Sequence, residues 1–251
     1  MITIEKLLSM GLHLGHPSKQ MNPKMRPYIC GKKNELQLLD LIQSYWFLKR
    51  ACHFLMLAAS QNKTFLFVSK KKFLAKKMAQ DTKNHEQKNL PFTEKTLGIN
   101  ESKAKSEIKN VFYVNQRWLG GLLTNWQTVR ECLNKLETLE KYEQSGSLEK
   151  FSKKEVATWK RDFLKLQTNL GGLRGMTQLP DVVILLGQLE GGEAIRECKK
   201  LNIPTVQLLD TNSDPSLADL FIPFNDDCLT GLHFVVTAFL KAIKKGTAEV
   251  A

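Results

Sequence analysis

The sequence contains no apolar run approaching the roughly 18–20 residues that a bilayer-spanning helix needs. Its start, MITIEKLLSMGLHLGH, has neither a basic stretch before a cleavable apolar segment nor the Arg- and Ser-rich character of a transit peptide. The product is expected to be made where it works, or to have lost a targeting segment already. Cysteine pairing signals are absent too. Cys30, Cys52, Cys132, Cys198 and Cys228 form no C-x-x-C and are odd in number, which points to free thiols in a reducing compartment. Neither glycine fingerprint for phosphate occurs: no G-x-G-x-x-G and no G-x-x-x-x-G-K-[ST]. Residues 6–34 lack any carboxylate, although they hold Lys6, Lys19, Lys24, Arg26, Lys32 and Lys33.

That last absence belongs to a wider asymmetry in the formal charge of +12. Residues 1–174 hold 31 Lys/Arg against 15 Asp/Glu, a surplus of 16, whereas residues 175–230 hold 3 against 9. Charge placed only for solubility mixes its signs; a segregated field attracts and steers a polyanion. Nucleic acid is favoured over an anionic membrane surface.

What is present reads as an α/β chain. The runs 64–69 (TFLFVS), 111–114 (VFYV), 181–187 (DVVILLG), 205–209 (TVQLL) and 220–223 (LFIP) are apolar without alternation, as parallel strands covered on both faces are. Helical spacing at 43–60, 70–80, 189–200 and 228–244 separates most of them. The alternation predicts a Rossmann-like, doubly wound parallel sheet with right-handed crossovers. Residues 124–172 interrupt it. Trp126, Val129, Leu133 and Leu136 make one seam; Val156, Trp159, Phe163, Leu166 and Leu170 make a second, after a polar turn and a capping box from Ser152 to Glu155. They predict a protruding antiparallel coiled-coil hairpin. The expected division is therefore an α/β body, 1–123 and 173–251, and a hairpin, 124–172. Residues 82–110, polar and lysine-rich, form a looped-out insertion.

The opening of the hairpin, NQRWLGGLLTNWQTVR (115–130), could be a phosphate cradle or a rigid corner. Its glycines are adjacent rather than spaced, and SKKKFLAKK after the first strand has no glycine at all. A corner is the better reading, with Trp126 seating the hairpin root. His13 and His16 in HLGH could share a metal with Cys30, but no further ligand falls at a matching spacing, so no metal or other cofactor is expected. Asp210, Asp214, Asp219, Asp226 and Asp227 cluster late in the chain; they read as turn and cap residues rather than catalysts. No Ser-His-Asp set surrounds a nucleophile elbow. A nucleotide-dependent enzyme on the same scaffold stays as the alternative.

The nucleic-acid reading has named residues. QMNPKMRPYICGKKN (20–34) interleaves cations with Pro23 and Pro27, which are expected to hold an extended path before a polyanion arrives. Lys19, Lys32 and Lys33 flank or extend that segment, and Lys70, Lys71 and Lys72 open the next basic helix. Arg117 and Trp118 stand at a strand end, where phosphate or an unstacked base could pack. With no single-strand readout motif, recognition of folded RNA by shape and phosphate fits best.

The pieces GLHLGH, NPKMRPYI, FLFVSKK, YVNQRWLGGLLTNWQTVR, NLGGLRGMTQLPDVVILL, LNIPTVQLLDTNSDP and IPFNDD follow one another across nearly the whole chain. In that order they resemble the universal second protein of the small ribosomal subunit, the ribosomal protein S two family, in its bacterial and organellar form and most of all its plastid members. The resemblance implies a Rossmann-like body with a coiled-coil hairpin, bound near the junction of head and body. It implies small-subunit ribosomal RNA and neighbouring small-subunit ribosomal proteins as partners, with no small-molecule substrate, no membrane and no catalysis. It implies a chloroplast ribosome, or alternatively a mitochondrial one. Carried over by motif, RNA contact falls on Asn22, Lys24, Arg26, Arg117 and Trp118. A glutamine follows Asn115 where a His or Lys is more usual in the family.

Overall fold

Five strands that are apolar on both faces can be stable only if both faces are covered, and the structure, a computed structural model, covers both. It describes residues 3–71, 110–144, 153–188 and 192–249. Strands β4 (Phe65–Val68), β5 (Val111–Val114), β6 (Val182–Leu186), β7 (Thr205–Leu209) and β8 (Leu220–Pro223) form one parallel sheet in the order β5-β4-β6-β7-β8. Every strand expected from the sequence is there, within a residue or two of its expected ends.

Alternate side chains of each strand enter opposite cores, as the two-residue period of a strand requires. Phe65, Phe67, Val182, Ile184, Leu186, Val206, Leu208 and Ile222 face one cluster. Helices α1 (Ile4–Ser9), α2 (Leu41–Ser60) and α6 (Leu229–Ala248) cover it with Leu7, Leu48, Leu55, Val235 and Phe239. Leu66, Val68, Val183 and Leu185 face the other cluster, closed by Trp118, Leu122, Leu133, Leu173 and Ile195. Ile195 lies on α5 (Gly192–Lys200), the crossover from β6 to β7. α2 starts sharply because the Asp40 carboxylate accepts from the amides of Ile42 and Gln43, at 2.9 and 3.3 Å.

Helices α3 (Trp126–Gln144) and α4 (Lys153–Leu170) fall within residues 124–172. They lie against each other, with the rings of Tyr142 and Trp159 edge-on at 5.5 Å, and Arg174 pairs with Glu140 just beyond the second helix. Leu133 and Leu170 at the root belong to the sheet's second core, where Trp126, Val129 and Leu166 pack. Leu136 and Leu139, farther along α3, are buried too. Gly172 lies so close to β5 that a side chain there would strike the carbonyl and ring of Tyr113. The turn 145–152, with the expected cap Ser152, the basic helix beyond Lys71 and the insertion up to Lys109 lie outside the described residues.

The N-terminal quarter departs from expectation. Residues 20–34 do not run extended throughout. Pro23–Tyr28 is a 3₁₀ helix capped by the Asn22 side chain, which accepts from the Lys24 amide at 3.0 Å. Proline fixes φ near the value a first helical turn needs, so Pro23 favours the turn rather than opposing it. Around it, β1 (Leu14–Pro17), β2 (Ile29–Lys33) and β3 (Leu36–Leu39) form an antiparallel sheet in the order β1-β3-β2. Met25 and Leu39 join Leu209 in a third small core, and beside it Phe47 stacks on Phe221 at 5.0 Å while Tyr28 meets both rings edge-on at 5.8 and 5.2 Å.

Candidate nucleic-acid interface

The carboxyl ends of the parallel strands are where an open α/β sheet binds ligands, at the point where strand order reverses. Here that point lies between β4 and β6, and groups from the loops beyond β4, β6, β7 and β8 hydrogen-bond to one another at the strand ends. Gln188 donates to the Gln207 side chain at 3.2 Å and to the Asp214 carbonyl at 2.6 Å. Lys71 donates to the Asp226 carbonyl and to the Asp227 carboxylate at 3.2 Å. The strand-end loops also hold the N-terminal sheet. The Asn22 amide donates to the Thr211 carbonyl at 2.9 Å, the His16 amide to the Thr211 hydroxyl at 2.9 Å, and the Asn225 amide to the Leu12 carbonyl at 3.2 Å. LLDTNSDP and IPFNDD therefore act as a latch for the basic N-terminal module.

The stretch WLGGLLTN is a corner closed by one carboxylate. Glu197, on α5, accepts from the Trp118 indole N–H and the Gly121 amide at 2.9 Å, from the Leu123 amide at 2.9 Å, and from the Thr124 amide and hydroxyl at 3.0 and 3.2 Å. Gly121 sits at φ +87°, which lets the chain reverse there. Burial alone would raise the Glu197 pKa; the hydrogen bonds from Thr124, Trp118, Leu123 and Gly121 outweigh it and hold it below the usual glutamate range. The loop does cradle an anion, and the anion is the protein's own. These donors are spent and cannot also hold a cofactor phosphate.

The late aspartates divide. Asp214 caps the 3₁₀ turn Pro215–Leu217, accepting from the Ser216 amide, and Asp219 accepts from the Thr205 amide at 2.8 Å. Asn225 accepts from the Asp227 amide in a turn of the expected kind, though the last helix has Cys228 at its cap position with no side-chain cap bond. Asp210 is different: it is buried and 2.9 Å from the Nδ1 of His16. Burial raises its pKa against the lowering from Thr211 and His16. Burial, then the charges of Asp210 and Asp227, push Asp226 up to about 6. His13 and Cys30, the co-ligands considered from sequence, are not in the group that His16 forms with Asp210 and Asp226.

The expected RNA-contact residues separate by what they touch. Lys19, Arg26, Lys32, Lys33, Lys70 and Arg117 are exposed and form no ion pair among the described residues. Lys32 and Lys33 sit on the edge strand β2, where charge also deters unwanted strand pairing. Four others behave otherwise. Lys24 reaches the Asp214 carboxylate at 2.7 Å and the Ser216 hydroxyl at 3.0 Å. It holds Asp214 down to about 2, through that hydrogen bond first and then the one from Ser216. Lys71 serves the aspartate loop, Asn22 is a helix cap, and Trp118 is only 4% exposed, its indole committed to Glu197. Its ring offers no stacking face. Lys72 lies outside the described residues.

Lys70 and Arg117 meet in a cleft of about 570 Å³ at the β4 and β5 ends, with Arg196 from α5 as a third cation. Sequence reading passed over Arg196 because its neighbourhood, 175–230, is acidic overall. Its position, next to buried Ile195 on an amphipathic turn, would have marked it as outward-facing.

Comparison with known proteins decides what kind of molecule carries this surface. The model of ribosomal protein S2 matches residues 7–98 and 93–246. The chain belongs to the ribosomal protein S2 family. It is similar to the small ribosomal subunit protein uS2c of Chlorella vulgaris, 41% identical over 245 residues covering 98% of this chain and 83% of the relative. The uS2c of Mesostigma viride is also 41% identical, covering 98% of this chain and 97% of the relative. The uS2 of Synechococcus sp. (strain JA-2-3B'a(2-13)) is 37% identical over 98% and 84%. This S2-family chain is a ribosomal protein and not an enzyme.

Proposed function

We propose that this chain is a structural constituent of the small subunit of a plastid ribosome, seated on folded ribosomal RNA through the cations its own carboxylates leave free. The single observation that carries the reading is full-length likeness: relatives named as small ribosomal subunit proteins align with 98% of the chain. The uneven charge agrees with it, because phosphate contact is what an unpaired cationic surface does without any base readout. In this reading the RNA-facing set is Lys19, Arg26, Lys32, Lys33, Lys70 and Arg117, joined by Arg196. Residues 124–172 form a coiled-coil arm on an α/β body made of 1–123 and 173–251, and neighbouring small-subunit proteins are the remaining partners.

The test is reloading of purified protein onto small subunits stripped of their S2 protein, with affinity followed against salt. Arg117→Ala and Arg26→Ala should each flatten the slope of log affinity on log salt by about one. Lys24→Ala and Lys71→Ala, whose ammonium groups are held by carboxylates, should leave the slope unchanged. Equal slopes for wild type and both arginine variants would remove these residues from the interface.

A further inference from the structure

One side of α6 is left open among the described residues. Thr230, Phe234, Thr237, Lys241 and Lys245, three or four positions apart, lie along a groove of about 630 Å³. From Thr230 to Lys245 the helix rises about 22 Å, at about 1.5 Å per residue, so the groove is long enough for about four turns of a second helix. Half-buried Met10 of α1, Cys52 of α2 and Phe234, Ala238 and Ala242 of α6 give it an apolar floor. Burial pushes the Cys52 thiol up to about 11, so it stays neutral and behaves as one more apolar group. Exposed Lys6, Lys241 and Lys245 stand along the edges, and no carboxylate lines the groove among the described residues.

We propose that this groove receives an amphipathic helix of another protein, apolar on the face turned inward and acidic along its flanks. On the ribosomal reading, on which this assignment rests, that protein is a neighbour in the small subunit. An amphipathic helix laid in a groove anchors itself at i, i+3, i+4 and i+7, the same spacing with which α6 lines this one. The small side chains of Ala238 and Ala242 let a second helix axis come close. Charge complementarity sets the flanks. Lys6 and Lys241 form no ion pair among the described residues, and Lys245 has Glu249, one turn on, at 3.9 Å. Acidic flanks would pair these ammonium groups, and basic flanks would be repelled. RNA fits less well. The Lys6 ammonium stands 5.3 Å from the centre of the Phe234 ring, over the face on which a base would stack. None of the cations assigned to RNA lines the groove. A second copy of the chain, docked about a twofold axis, would bring two lysine-edged grooves face to face.

Purified full-length protein carrying benzoylphenylalanine in place of Thr230, or of Thr237, would be loaded onto small subunits stripped of their S2 protein, irradiated and recovered with the particles. Cross-linked peptides would be sequenced by mass spectrometry. The expected product joins the groove to a segment of one neighbouring protein that has apolar residues at helical spacing and Asp or Glu beside them. Lys241→Glu with Lys245→Glu should lower its yield about tenfold or more while the protein still loads. Should that variant fail to fold, Lys241→Gln with Lys245→Gln, which removes the charges without reversing them, should lower the yield severalfold and decides alone. A cross-link to RNA, to a second copy or to a basic segment, or none from protein that has loaded, would overturn the groove's assignment and leave the ribosomal reading standing. Equal yields in wild type and the lysine variants would do the same. Failure to load at all would overturn both.

Discussion

A side chain's partners decide what it can offer to the outside, and Glu197 shows the rule most clearly. Its carboxylate takes five hydrogen bonds from the corner 118–124. Glu197→Gln puts an amide donor where only acceptors fit and leaves buried N–H groups unpaired, so it should cost about 2–3 kcal/mol in urea unfolding at pH 7. Because the folded pKa is depressed, the unfolded chain takes up protons first as the pH falls. The contribution of Glu197 is thus complete above the unfolded glutamate value, about 4.3, and fades as the pH drops through the folded one. The gap between wild type and Glu197→Gln should therefore narrow below about pH 4; a constant gap from pH 7 to 3.5 would show that the charge is not what matters. The same rule divides the basic residues. Lys24 and Arg26 are indistinguishable as letters in NPKMRP, yet one meets Asp214, 190 positions away, and the other forms no ion pair among the described residues. No local pattern carries that difference, so charge could be read from the sequence and its availability could not. Trp118 illustrates this in reverse: a tryptophan beside glycines looks like a stacking platform until its distant carboxylate is known.

At the scale of elements, the helices α3 and α4 were legible because their apolar residues repeat at helical spacing, and Leu133, Leu136 and Leu170 are buried. Leu136→Ala should cost about 2–5 kcal/mol, the usual range for an emptied leucine site. If the hairpin opens on its own, that loss should appear as faster amide exchange within α3 and α4 and not in the parallel sheet. Gly172→Ala tests the joint between arm and body. The added methyl meets the Tyr113 backbone, and an unfolding free energy lowered by about 1–3 kcal/mol is expected; an unchanged value would mean that the turn 171–173 and β5 can separate freely. The N-terminal antiparallel sheet was not legible. Its strands have four or five residues, both pairings carry a register irregularity, and Leu39 and Ile29 share a small core with Leu209 of β7 and Phe221 of β8. A strand pattern that short gives too few repeats to stand out, and the prolines around it suggested an extended arm instead of a 3₁₀ turn.

Across the whole molecule, the parallel sheet could be read because each strand is a continuous apolar run and each crossover is long enough to hold a helix. The strand-end latch could not, since it joins residues 11–22 to 210–227, contacts that no sequence spacing encodes. Both results bear on the charge asymmetry. The acidic stretch 175–230 is not a repelling face set apart from the basic half: part of it lies against that half, holding Lys24, Lys71 and His16. What remains free is more basic than composition alone suggests, and it is this remainder that is proposed to meet ribosomal RNA. Sedimentation of the tagged protein through sucrose gradients of plastid lysate, at low and then high salt, addresses that directly. The tag should run with small-subunit particles at low salt and move toward the top of the gradient as salt rises. A tag that stays among free proteins at every salt concentration would contradict a ribosomal role for the chain.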